Sequence, residues 1–161
     1  QDPPFSHRFH DPQKGNHGSL MERIRQKIGR IREYLRLIES IKDECETRFV
    51  SDPIYRGALL HNLYMLADSC ISLAELAIKY RGLRAPQSYA ESFDILGENG
   101  VLEPGFAFEF SRIAGFRNFL AHDYERMDPL FICVQVLSKL DDIRHFLHQI
   151  ETCLQVNGPL R

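Results

Sequence analysis

The chain has 161 residues, 43% of them hydrophobic and 26% charged, and a formal net charge of −2. That length suits one domain around one core, and the composition is neither that of a disordered chain nor that of a low-complexity one. The slight acidity excludes a general nucleic-acid coat, which is basic throughout, and no apolar run approaches the roughly 20 residues that a membrane span needs.

Residues 1–20 stand apart. They hold His7, His10 and His17, with prolines and glycines but neither an apolar period nor the pattern of a signal peptide. The expectation is an irregular leader of vector origin at 1–20, a native start at Met21, and a domain running from 21 to 161. The leader is charge-balanced, Asp2 and Asp11 against Arg8 and Lys14, so the net −2 belongs to the domain.

From Met21 the pattern is helical. Ile24, Ile28, Ile31, Leu35 and Ile38 recur at spacings of four and three, which predicts an amphipathic helix of about 25 residues. Asp52-Pro53 pairs a good N-cap with a residue favoured at the first helical position. The segment from there to Tyr80 is apolar on more than one face, which predicts the central helix, ended by Gly82 and Pro86. Ser88 and Glu91 have capping-box spacing and open a short helix through Phe93, Ile95 and Leu96. Glu103-Pro104 starts a fourth helix through Phe106, Phe110, Ile113 and Phe116 to Ala121. Asp128-Pro129 opens the last, through Ile132, Val136, Leu140, Ile143, Leu147 and Ile150. No alternating run competes as a strand. The predicted fold class is all-α, a single-domain bundle of four long helices plus a short one.

Cys45, Cys70, Cys133 and Cys153 are widely spaced, with no CxxC and no Cys/His cluster. That usage predicts four reduced, mostly buried thiols, no structural zinc and a cytoplasmic protein.

The chemistry is concentrated between Gly115 and Tyr124, where Arg117, Asn118, His122, Asp123 and Tyr124 end an otherwise apolar helix. Arg117 and Tyr124, seven apart, share a helix face, as do Asn118 and His122, four apart. Arg117 and His122 lie roughly 140° apart on an ideal helix, and they converge on one cleft if the helix ends or bends near Ala121. A histidine exchanges protons near neutrality, and an arginine is a permanent cation whose fork matches phosphate oxygens. Together they suit phosphodiester cleavage in which a ribose 2′-hydroxyl is deprotonated and charge develops on phosphate oxygens. That reaction needs an acid and a base. One chain offers a single well-placed histidine, and a symmetric dimer would supply two.

Arg117, four residues, His122, one residue and Tyr124, with Asn118 after the arginine, make an Arg-x4-His-x-Tyr pattern. With it the chain resembles the HepT-like branch of the HEPN superfamily over nearly all of residues 21–152. The helix order, the Pro86-Gln87-Ser88-Tyr89 joint, the Phe93-x-x-Leu96 segment and Gly115 ahead of the motif are similar too. The resemblance implies an all-α, homodimeric, metal-independent endoribonuclease that needs no cofactor. It would act on RNA (tRNA or mRNA) as the toxin of a type VII-like toxin–antitoxin pair. It implies that Arg117 and His122 are catalytic and that Asn118 shapes the site. The implied partner is a minimal nucleotidyltransferase antitoxin, in a complex that can exceed the dimer, which transfers AMP from ATP to Tyr124. This chain lacks the Gly-Ser…Asp-x-Asp pattern of the transferase, so it would be the substrate. An AMP group two residues from His122 would exclude RNA phosphate by volume and like charge.

Other residues carry weaker expectations. Arg112 and Arg126 flank the motif and are candidate RNA contacts, against ion pairing with Glu109, Asp123 or Glu125. Arg23, Arg25, Lys27, Arg30, Arg32 and Arg36 on the first helix form either an RNA-phosphate track or a solvated face. His145 and His148 have a metal-binding spacing but no third ligand. Whether His61 and Asp68 of the central helix face the cleft is left open by the sequence. Two readings compete with the ribonuclease. One is a non-catalytic nucleotidyltransferase-binding module, modified at Tyr124. The other is a helical scaffold whose polar cluster caps a helix, which would hold if Arg117 pairs with an acid of its own chain and no cleft exists.

Overall fold

The apolar stripe that starts at Ile24 belongs to a helix that begins well ahead of it. In the computed structural model, which describes residues 12–158 and side chains from residue 16, α1 runs over Pro12–Ile41. Residues 12–20, expected to be irregular, are therefore helical. The reason is tertiary: Leu20 and Met21 are buried, and the His17 ring stacks on Tyr80 with centroids 3.8 Å apart, so the far end of the central helix supports the extra turns. The remainder of the expected leader, residues 1–11, lies outside the described residues.

A 3₁₀ turn (Lys42–Glu44) and the one-turn α2 (Cys45–Arg48) lead into α3 (Pro53–Tyr80), the central helix. Its start is as predicted: one Asp52 carboxylate oxygen accepts from the amides of Ile54 and Tyr55, each at 3.1 Å. Leu59, Leu63, Cys70, Leu73, Ala74 and Ala77 are sealed from solvent because α1, α4, α6 and α7 all pack on this helix. Ser88 caps α4 (Tyr89–Glu98) by accepting from the Glu91 amide at 3.1 Å. The Glu91 carboxylate reaches back to the Gln87 amide at 3.3 Å, one residue earlier than a capping box would have it.

The predicted fourth helix is divided in two. α5 (Pro104–Phe110) is capped by Glu103, whose carboxylate accepts from Gly105 and Phe106, and α6 (Ile113–His122) follows after a turn. At the break the Ser111 hydroxyl donates to the Phe108 carbonyl at 2.7 Å, and the Arg112 amide tightens onto Glu109 at 3.4 Å. The turn lets Phe110 stack on Phe146 beside Phe93 while α6 packs along α3. α5 in turn lies so close to α4 that a Cβ on Gly97 would sit 2.8 Å from that of Ala107.

The front half of the predicted last helix is irregular. After a 3₁₀ turn at Tyr124–Arg126, Asp128 accepts from the Leu130 amide as expected of a helix start. The chain then winds as a π-helix over Phe131–Val136 and a 3₁₀ turn over Leu137–Lys139, and becomes α7 (Leu140–Leu154). Among the described residues there is no strand, and no helix is long and apolar enough to cross a membrane.

The expectation of four reduced cysteines is corrected. Cys45 and Cys133 form a disulfide, with Cα atoms 5.4 Å apart. Their 88-residue separation hid the pair, and the bundle topology sets the elbow before α3 against the π-helical segment. Cys70 and Cys153 are free. Burial pushes the Cys70 thiol far up, so it stays protonated as an apolar filler. The Cys153 sulfur accepts from the Arg81 guanidinium at 3.1 Å.

Candidate active site

Arg117 projects from the middle of α6 onto α3. Its Nε donates to Asp68 Oδ1 at 3.1 Å and its Nη1 to the side-chain oxygen of Asn118 at 3.2 Å. The guanidinium carbon lies 5.2 Å from the centroid of Tyr64 and 5.3 Å from that of Tyr89, so cation–π contacts from α3 and α4 flank it. The side chain is only 18% exposed. Burial opposes its charge, but the Asp68 hydrogen bond and the neighbouring Tyr64, Asp68 and Tyr89 side chains outweigh this, and Arg117 is held above the ordinary arginine range. The result is a cation fixed in place, with part of its fork committed to Asp68 and Asn118.

His122 closes the same helix and is exposed. Among the described residues its ring has no hydrogen-bond partner in the chain. α6 ends at His122, one residue beyond Ala121, but it is helical throughout the stretch from Arg117 to His122. The five-residue spacing therefore keeps the two on different sides of the helix, about 140° apart.

Tyr124, two residues on, is 53% exposed and lines a cavity of about 890 Å³. Arg56, His61 and Tyr64 of α3 line it too, with Phe49 and Val50 from the elbow and Met127 and Pro129 from the segment after the motif. Arg56 donates to the carbonyls of Phe49 and Val50 at 2.9 and 3.2 Å, and so keeps its charge at this wall without a carboxylate partner among the described residues. Arg117 does pair with an acid of its own chain. A cleft nevertheless exists beside it, sharing Tyr64, so the scaffold reading lacks its second condition.

A family model described as ribonuclease HepT-like matches residues 31–150. The chain belongs to the HepT-like ribonuclease family. The mRNA nuclease HepT of Shewanella oneidensis is 24% identical over 128 residues, which span 80% of this chain and 96% of that protein. The HEPN toxin of the same organism has been solved tri-AMPylated and in complex with an MNT antitoxin. Its structure matches with a TM-score of 0.72 at 26% identity, over 80% of this chain and 96% of its own. Bacillus subtilis YutE, at 20% identity and a TM-score of 0.72, shares the fold over 87% of this chain and 94% of its own. The all-α reading and the HEPN resemblance hold.

Within this HepT-like chain the motif residues are distributed rather than gathered. Arg117 and Asn118 touch each other, Tyr124 faces the cavity, and His122 stands alone on the exposed end of α6. Arg112 and Arg126 line one smaller cavity together, about 450 Å³, with Gly115, Phe116 and Phe119. Arg112 also makes the expected pair with Glu109, at 3.6 Å and well exposed. His61 and Asp68 both face the site, from one side of α3. His145 packs edge-on against Phe106 at 4.7 Å, and among the described residues no group of three or more His, Cys, Asp or Glu is placed to hold a metal ion.

Tyr64, Tyr89 and Arg56 were not legible as site residues. Tyr64 and Asp68 do sit four apart on α3, and His61 three before Tyr64, which is the spacing of one helix face. That polar row within an otherwise apolar helix is the signal that was available.

Proposed function

We propose that this chain is the ribonuclease toxin of a HEPN/MNT toxin–antitoxin pair, a metal-independent endoribonuclease built from Arg117 and His122 across a homodimer. The observation that carries the reading is the contrast at the two ends of the motif: an arginine locked by Asp68, Tyr64 and Tyr89, and a histidine exposed and unengaged five residues later. In the proposed reaction the imidazole of one His122 takes the proton of a ribose 2′-hydroxyl. The 2′-oxygen attacks the adjacent phosphorus, and the bond to the 5′-oxygen breaks. Arg117 meets the charge that develops on the phosphate oxygens, and the second copy's histidine protonates the leaving 5′-oxygen. The products are a 2′,3′-cyclic phosphate and a 5′-hydroxyl. Asn118 keeps the guanidinium in register. Arg112 and Arg126 extend the positive field of a protein whose overall charge is slightly negative. The setting proposed is the cytoplasm.

Silencing would act at Tyr124. The side chain is exposed beside a cavity carrying Arg56 and His61, a setting in which its hydroxyl can attack the α-phosphate of ATP on the nucleotidyltransferase, with pyrophosphate leaving. The resulting AMP group then competes with RNA phosphate by volume and charge.

The test is cleavage of RNA by the purified full chain with a chelator present, beside His122→Ala. Loss of cleavage in the variant is expected, and equal cleavage by both overturns the reading. Intact mass after incubation with the partner and ATP checks the second half. Additions of about 329 Da each are expected on the wild type and none on Tyr124→Phe. A wild type that accepts AMP and never cleaves RNA would favour the binding-module reading.

A further inference from the structure

α1 has two flanks of opposite character. On the side of α7 two of the three arginines are matched by carboxylates, Arg32 with Glu151 and Arg144 with Glu39, and Arg36 alone has no ion-pair partner among the described residues. On the side of α3 the charges are not matched. Arg23, Lys27 and Arg30 of α1 and Lys79 of α3 line one cavity of about 340 Å³ whose lining holds a single carboxylate, Glu75. Among the described residues Arg23, Lys27 and Lys79 have no ion-pair partner. Arg30 has only Glu33 of its own helix, at 3.9 Å. Gathering like charges around a concavity costs the folded state energy, and it focuses a field that collects anions.

The position of this cavity relative to Arg117 gives it meaning. Tyr64, Asp68, Ser72, Glu75 and Lys79 fall within about 80° of one another around α3. The first two hold Arg117 and the last three line the cationic cavity. Site and cavity therefore lie on one face of one helix. Lys79 is eleven residues, about 16 Å, beyond Asp68. Arg23, Lys27 and Arg30 repeat along α1 over roughly 10 Å, a row of charges rather than a point. No aromatic residue lines the cavity, so it lacks the large anchors on which protein interfaces rely.

We infer that the cavity between α1 and α3 is a phosphate-binding subsite for single-stranded RNA, holding the substrate backbone a few nucleotides from the bond cut at Arg117 and His122. The inference rests on the ribonuclease reading. It makes length of strand a determinant of affinity: only RNA long enough to run along α3 gains the extra contacts.

The experiment uses His122→Ala protein, which binds without turnover, and compares it with the same protein carrying Lys27→Gln, Arg30→Gln and Lys79→Gln. Glutamine removes the charges and keeps a good helix former. The probes are a fluorescent trinucleotide and a long unstructured RNA, titrated over a range of salt. The triple substitution is expected to weaken long-strand binding at least tenfold. It should also make the slope of log affinity against log salt shallower by about two, since each single-strand phosphate contact contributes about 0.7. Trinucleotide binding should not change, nor should trinucleotide cleavage when the same three substitutions stand in the His122 protein.

A control removing as much charge from the other flank, Arg32→Gln, Arg36→Gln and Arg144→Gln, should leave the slope near its original value. Equal losses from both flanks, or no loss from the first, overturn the subsite. Retained RNA binding with lost binding of the nucleotidyltransferase overturns it too and makes this a protein-docking face. Trinucleotide cleavage by the wild type reports on the ribonuclease reading separately, so failure of one is distinguishable from failure of the other.

Discussion

The two ends of α6 are built on different terms. At Arg117 the side chain is half-buried and touched by three other residues from α3 and α4, so its geometry is fixed before any ligand arrives. At His122 the helix runs out into a 3₁₀ turn and a π-helix, the imidazole is exposed, and the segment that follows is tied to the elbow before α3 by the disulfide from Cys133 to Cys45. On the proposed reaction, the difference means that electrostatic stabilisation would be preorganised within one chain, whereas proton transfer would wait for a second copy to complete the geometry. The first can be damaged by changing the fold. The second can be removed without the fold noticing.

The sharpest way to break this contrast is at His122. His122→Ala should lower RNA cleavage by roughly 10²- to 10⁴-fold, the range for loss of a general acid–base group, with the thermal midpoint unchanged. A variant that is destabilised as well as inactive would mean that His122 is a structural cap after all. Next comes the tie behind it. Replacing Cys45 and Cys133 by serine, or reducing the bond, should cost roughly 2–4 kcal/mol, because the closed loop is long and its entropy returns to the unfolded chain. Hydrogen exchange should show the loss first in residues 124–136, with the amides of α3 around Asp68 following only at global unfolding.

At the preorganised end, Asp68→Asn keeps the shape and removes the carboxylate's charge. Cleavage should fall roughly tenfold, an effect of the size expected when a hydrogen bond between two charged groups keeps only one charge. The pH–rate profile should keep its position because His122 is untouched, and a shift of that profile would show that the two ends are coupled within one chain. Gly97→Ala probes the same end from further away. Its methyl would meet Ala107 at 2.8 Å and push α5 off α4, the helix that begins with Tyr89. A loss of about 1–3 kcal/mol in denaturant unfolding is expected for such overpacking.

The regular end was also the legible one. Asp52, Ser88 and Asp128 announce helix starts by a local rule, one oxygen near two or three amides, and each makes the bond that the rule requires. The stripe from Ile24 to Ile38 and the all-round apolar run of α3 say which helix is central by the same kind of argument. What the sequence hid is what depends on neighbours. The break at Ser111 satisfies two packing partners at once, aromatic stacking for α5 and the groove of α3 for α6. The Cys45–Cys133 pair is set by topology across 88 residues, and no spacing rule reaches that far. The motif residues could be read individually. Tyr64 and Tyr89 could not be read as the walls around Arg117, because they come from two other helices.

The smallest expected effect concerns acid, and it separates the two ends by leaving both alone. Among the described residues, Asp52, Glu39 and Glu103 are held below their ordinary values of 3.8 for Asp and 4.5 for Glu. Asp52 is lowered first by the Arg48 guanidinium and then by the amides it caps, Glu39 by Arg144, and Glu103 by the amides of Phe106 and Gly105. A carboxylate lowered in the folded state contributes stability that is fully present above its ordinary value and is lost as pH falls through the folded value. The thermal midpoint should therefore be flat from neutrality to about pH 5 and decline below about pH 4. Asp52→Asn is the discriminating variant, because asparagine remains a good N-cap but does not titrate. It should start slightly lower at neutral pH and decline less steeply in acid. A decline as steep as that of the wild type would place the acid sensitivity elsewhere, and since Asp52 takes no part in the proposed reaction, cleavage at neutral pH should be the same for both proteins.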